Sequence, residues 1–275
     1  MDYVIFIFVL ALLTAASICD FRRREVPDSI SYLLMAGSLL IVLAYSIEYD
    51  TILNLVYMPL SILLLAGFAY FMYRMGQWGG GDVKLIFGLS IVFTSVNIFS
   101  SNSFIALFMN ILLFGGIYGI FGTIIKGLIN IKKLKQHFKY YDIPFFVAML
   151  SVFVISFIFI PFPLNIFVEF AAFMMFSIRF IFLVAENLMY ITEKVEKLTE
   201  GDWLAEPVKD KGGKNIIPER NTGLTPSDIR KLKESGVKEV LIKLGLPFVP
   251  GILLATAVTF AFGNPLLQII SSLYI

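Results

Sequence analysis

The residues with most chemical promise are two aspartates. Asp20 closes an apolar stretch in "CDFRRREVPD", and Asp82 follows three consecutive glycines in "GQWGGGDVK". A carboxylate near hydrocarbon is expensive, and a glycine run is a poor start for a helix. Two carboxylates brought face to face cannot both ionise easily, so they hold one proton between them. The ionised member can then activate a water, while the protonated member polarises a carbonyl and later protonates a leaving amine. The titration of such a site belongs to the pair. Gly79, Gly80 and Gly81 then read as backbone free to take dihedrals closed to other residues and bare of side chains that would block an extended segment approaching Asp82. A helix N-terminus there favours Asp82 as the base. The plainer reading makes Asp82 an N-cap, Asp20 a counter-charge for Arg22–Arg24, and Asp28 the cap of a second helix.

The elements that must position these residues are membrane helices. The chain of 275 residues is 58% hydrophobic and only 15% charged, against roughly 25% charged in ordinary soluble domains. We read it as an all-α polytopic membrane protein. Its N-terminus lacks the basic start of a secretory signal and reads as a retained first helix. The single cysteine, Cys19, excludes an intrachain disulfide and a cysteine zinc cluster. The single histidine, His137, sits in a basic stretch. No metal and no cofactor are expected.

Apolar stretches lie at about 3–19, 29–47, 51–73, 83–99, 103–126, 143–160, 164–190 and 246–272. They make eight transmembrane spans, or six if one of them lies shallow or merges into another. Arg22–Arg24, Arg74, Lys84, the lysines from Lys126 to Lys139 and those from Lys194 to Lys243 fall in alternate connections. The connections "EYD", "SSNS" and "PFPL" carry no Lys or Arg, and Arg179 stands alone inside a span. The positive-inside rule then puts every basic loop in the cytoplasm and both termini outside. Asp20 and Asp82 thereby reach the same membrane depth at cytoplasmic helix ends. The expected organisation is a catalytic bundle over 1–191, a cytoplasmic insert over 192–245 and a final helix over 246–275. In the insert, charges nearly balance, which argues against a nucleic-acid partner. Thr225 is placed as N-cap of a short helix, with Pro226 first and Gly236 as the stop. "VKDKGGKN" reads as a turn.

Together these features resemble the GxGD-type membrane aspartic peptidases that process type IV prepilins, above all their archaeal preflagellin and prepilin-like branch. The resemblance rests on "CDFRRREVPD", "GGGDVK", "EGDWLAEP", "GLTPSDIRKLK" and "GLPFVPGILLA". It implies Asp20 and Asp82 as catalytic residues, with Gly79, Gly81 and Lys84 in the second motif. It implies pilin-like or archaellin precursors as partners, cleaved behind a short basic leader at the cytoplasmic face of the plasma membrane. Glu25, Asp28 and carboxylates of the insert are the expected contacts for that leader, and Arg22–Arg24 are expected to face lipid headgroups. Bacterial relatives with a longer first loop and paired cysteines also methylate the new N-terminus. The short loop and lone Cys19 here imply no methyltransferase activity. A second reading is a transporter or ion pathway using Asp20 and Asp82 as proton or cation sites. No internal repeat is visible to support it. A third is a membrane assembly factor in which the aspartates only cap helices.

Overall fold

Helices form wherever the apolar runs allow. The computed structural model describes residues 2–49, 52–94, 103–162, 164–209, 215–218, 223–265 and 268. Among these, six helical stretches are long and apolar enough to cross a membrane: Tyr3–Arg23, Asp28–Glu48, Leu55–Arg74, Ser103–Ile129, Asp142–Phe159 and Leu164–Leu188. They are α1 (Asp2–Arg23), α2 (Asp28–Glu48), the broken helix α3–α4 (Leu53–Ser61 and Gly67–Arg74), α6 (Ser103–Ile129), α8 (Asp142–Phe159) and α9 (Leu164–Leu188).

The other two expected spans are shorter helices. They are α5 (Gly80–Val92) and α11 (Val249–Phe262), with 13 and 14 residues. At 1.5 Å per residue each is about 20 Å long, less than the ~30 Å hydrocarbon core. The stretch 95–99 of the first lies outside the described residues, as does most of 266–272 of the second. Both helices are apolar on all sides, and such helices belong in an interior. The main core accordingly gathers around them, from α1, α2, α5, α6 and α11. Leu34 of α2 packs on Gly88, where a Cβ would lie 2.8 Å from the leucine Cγ. The α3–α4 helix carries Pro59 and then one wide turn over Ile62–Ala66. A proline inside a helix removes a hydrogen bond and disturbs the turn around it. Ser61 Oγ donates to the Ser90 carbonyl at 2.7 Å and ties this broken helix to α5.

Helices α8 and α9 form a hairpin that leans on α6 through α9. Arg179, the isolated cation inside a span, is not alone in space. Its Nε donates to Asp142 Oδ1 at 2.8 Å, and its guanidinium lies 5.5 Å from the Tyr141 ring centroid. Asp142 is fully buried and also accepts from Lys139 N at 2.7 Å. The pairing is what makes a charge tolerable there.

From α9 the chain enters the insert. Strands β1 (Tyr190–Lys194), β5 (Glu239–Lys243) and β2 (Trp203–Leu204) make an antiparallel sheet in the order β1-β5-β2. A hairpin of β3 (Val208–Lys209) and β4 (Asn215–Ile217) and the helix α10 (Pro226–Glu234) complete it. Its own small core includes Val195, Ile217, Leu224, Leu232 and Ile242. Thr225 caps α10, accepting from Asp228 N, with Pro226 in the first turn; Gly236 beyond the helix takes φ 72°. The remaining short α7 (Ile131–Lys135) follows α6. Of the turn "VKDKGGKN", residues 210–214 lie outside the described ones, and β3 and β4 flank them.

Candidate active site

Asp20 sits in the last turn of α1 and Asp82 in the first turn of α5. Both are buried, at 7% and 8% exposure. Both line one cavity of about 800 Å³. They are near enough for their charges to act on each other. Around the cavity stand the loop 23–28 between α1 and α2, the turn 79–81, and one face of the insert. The end of α1, the end of α4 and the starts of α2 and α5 therefore meet around one cavity.

Each carboxylate is held by the N-terminus of a helix. Asp82 is the third residue of α5, and its Oδ2 accepts from Gly79 N at 2.9 Å. It is thus not the N-cap itself, which is Gly79, but the residue reaching back to it. Asp20 belongs to another helix altogether. Its Oδ2 accepts from Val249 N at 3.0 Å, across 229 residues. Arg24 lines the same cavity as Asp20. Free N–H groups and the helix dipole make such a helix start a natural seat for a carboxylate. "GLPFVPG" signals a helix start through Pro250 in the first turn, but nothing in it names the group that this start receives.

The glycines need a different account from unusual dihedrals. Among the described residues, positive φ occurs at Gly76, Gly201, Gly236, Gly263 and Arg24, not at Gly79, Gly80 or Gly81. Gly79 is extended, and Gly80 and Gly81 begin α5. Gly81 faces Val26, and Gly80 is open, with Tyr73 at 3.9 Å from an added Cβ. All three line the cavity.

Charged residues divide less simply than expected. Asp28 is paired with Lys84 at 2.5 Å, so the motif lysine neutralises it. Glu25 lines the cavity, as do Glu193, Glu200 and Asp202 of the insert. Arg23 and Arg24 are also among the residues that line the cavity. Among the described residues, no group of three or more His, Cys, Asp or Glu side chains could hold a metal ion.

Two buried carboxylates on one wall can share a proton and direct a water at a carbonyl. No curated protein and no solved structure matches the chain. Residues 7–120, from α1 into α6, match the model of the type IV leader peptidase family. A multi-pass helical bundle, the chain is thus similar over residues 7–120 to the type IV leader peptidase family.

Proposed function

We propose that the chain is an aspartic endopeptidase of the GxGD type, in which Asp20 and Asp82 remove the short basic leader of pilin-like or archaellin precursors. The observation that carries this reading is the meeting of two buried carboxylates, from helices far apart in sequence, on one cavity wall. Substrates of the pilin-precursor kind follow from the family. Their cleavage falls between a polar leader and a hydrophobic helix, so the scissile bond belongs at a membrane surface. The one-sided lysines and arginines favour the cytoplasmic face of the plasma membrane.

Each carboxylate accepts from one backbone N–H, of Val249 for Asp20 and of Gly79 for Asp82, but Asp20 also has the Arg24 guanidinium on its own cavity wall. An opposite charge beside a carboxylate favours its charged form. Asp20 is therefore the better base, reversing the preference for Asp82 drawn from sequence. Asp20 takes a proton from water, and the water oxygen attacks the scissile carbonyl. Asp82 donates its proton to the carbonyl oxygen. Collapse of the tetrahedral intermediate expels the amine, which is protonated by the pair.

The wall supports a basic leader. With Lys84 engaged by Asp28, the carboxylates Glu25, Glu193, Glu200 and Asp202 remain alongside the dyad. They outnumber Arg23, Arg24 and Lys197 on the same wall. The lone Cys19 and short first loop favour an enzyme without methyltransferase activity. Co-expression with a leader-bearing precursor tests the reading: wild type should shorten it, and Asp20→Asn and Asp82→Asn should leave it whole. Cleavage retained in both variants would sink it, and a wild type that cleaves nothing would favour a proton or cation pathway instead.

A further inference from the structure

The two seats of the dyad are joined by an aromatic contact. Gly79, whose N–H holds Asp82, follows Trp78. Val249, whose N–H holds Asp20, follows Phe248. The rings of Trp78 and Phe248 pack on each other, with centroids 5.0 Å apart and planes tilted by 30°. Trp78 is buried at 8% exposure, and its other neighbour is Phe68, edge-on at 5.7 Å. The Phe248 ring is confined from behind by α6: a Cβ on Gly115 would stand 2.8 Å from its tip. Neither ring touches a carboxylate through its own polar atoms. Each is one residue removed from the N–H that does.

We infer that the Trp78–Phe248 pair is the clasp that sets the separation of the two carboxylates. Each ring moves with the peptide that follows it, so sliding one ring on the other shifts one helix start against its partner. Reacting groups must be held within a fraction of an ångström, and a small misplacement costs orders of magnitude in rate. An aliphatic side chain of similar bulk fills the space but loses the preferred geometry of a ring pair. Trp78 and Phe248 are thus positioning residues rather than catalytic ones. Gly115 serves the same end by leaving room for the ring. The inference rests on the aspartic reading above, and it brings α11, which lies outside the family-matched segment 7–120, into the working site.

The test uses the full chain in lipid nanodiscs and a pilin-type precursor with a basic leader. Phe248→Leu and Trp78→Leu should each lower kcat at least about tenfold with KM little changed. The double variant should be scarcely worse than either single one, because the rings act as one unit. Trp78→Phe, which keeps a ring against Phe248, should retain most of the rate. A second readout needs no catalysis. In a Cys19→Ser background, Asp20→Cys with Asp82→Cys should be bridged by a short bis-thiol reagent, and Phe248→Leu should cut that yield several-fold. Wild-type kcat in both leucine variants, losses that multiply in the double variant, or an unchanged bridging yield would each overturn the clasp. Failure of the aspartic reading looks different: Asp20→Asn and Asp82→Asn would still cleave, whatever the bridging yield.

Discussion

Gly81 and Val26 are in contact across the cavity mouth: a Cβ added to the glycine would lie 3.0 Å from the valine Cβ. The glycine is there because the loop leading into α2 passes over the first turn of α5. Gly81→Val should push that loop away, costing about 1–3 kcal/mol of stability and most of the cleavage. Val26→Ala should return part of both. Cleavage assays and thermal unfolding in detergent read the two effects. Full activity in Gly81→Val alone would mean that this contact is not needed.

The dyad predicts its own pattern. Asp20→Asn and Asp82→Asn should each lower kcat by at least about a hundredfold, and the double variant should be little worse. One carboxylate must be charged and one protonated, so cleavage should fall on both the acid and the alkaline side of an optimum. A rate that only rises with pH would point to a single base. Asp28, paired with Lys84, is then the next residue to replace.

The leader's charge should matter through the acidic wall. Reversing the basic residues of a precursor's leader should lower kcat/KM by about tenfold or more. Glu200→Lys in the enzyme should recover part of that loss for the reversed leader and weaken cleavage of the natural one. Equal rates for both precursors in both enzymes would show that only the hydrophobic helix and the backbone are read.

The Arg179–Asp142 pair should behave as a buried ion pair. Arg179→Ala leaves Asp142 uncompensated and should destabilise the protein by about 3 kcal/mol. Pairing it with Asp142→Asn should give back much of the loss, as measured by thermal unfolding of single and double variants. Cleavage per folded molecule should stay near wild type, because neither residue lines the cavity.

Sidedness can be checked independently. Glu48→Cys, at the end of α2 remote from the site, should label from outside intact cells with an impermeant thiol reagent, in a Cys19→Ser background. Labelling only after permeabilisation would invert the topology.

Much of this architecture could be read from local patterns. Long apolar runs give α1, α2, α6, α8 and α9 because a helix in lipid satisfies its own backbone. The Thr225-Pro226 pair marked α10 because capping is a contact within a few residues. The aspartates stood out because a carboxylate at a span end is costly. Other features depend on contacts that local patterns do not carry. Val249 N–H is a backbone group, present in every non-proline residue, so no letter in the sequence announces that it receives Asp20. The Trp78–Phe248 contact looks like two ordinary core aromatics until the helices are packed. Arg179 was conspicuous, but its partner Asp142 lies 37 residues away at the start of another helix. For Gly81 the sequence offers both free dihedrals and a missing side chain, and only the packed helices show the missing side chain facing Val26.

The bond between Asp20 and Val249 also has a history in time. Asp20 leaves the ribosome early, and its anchor follows 229 residues later. At 5–20 residues per second this is an interval of about 10–45 s. During that interval α1 and α5 can already be in the membrane, with Asp82 seated on Gly79 and Asp20 still unheld. A nascent chain at this stage is a bundle without a finished active centre, and it becomes competent only when α11 docks. On the proposed function, a copy that lacks α11 would have no seat for Asp20.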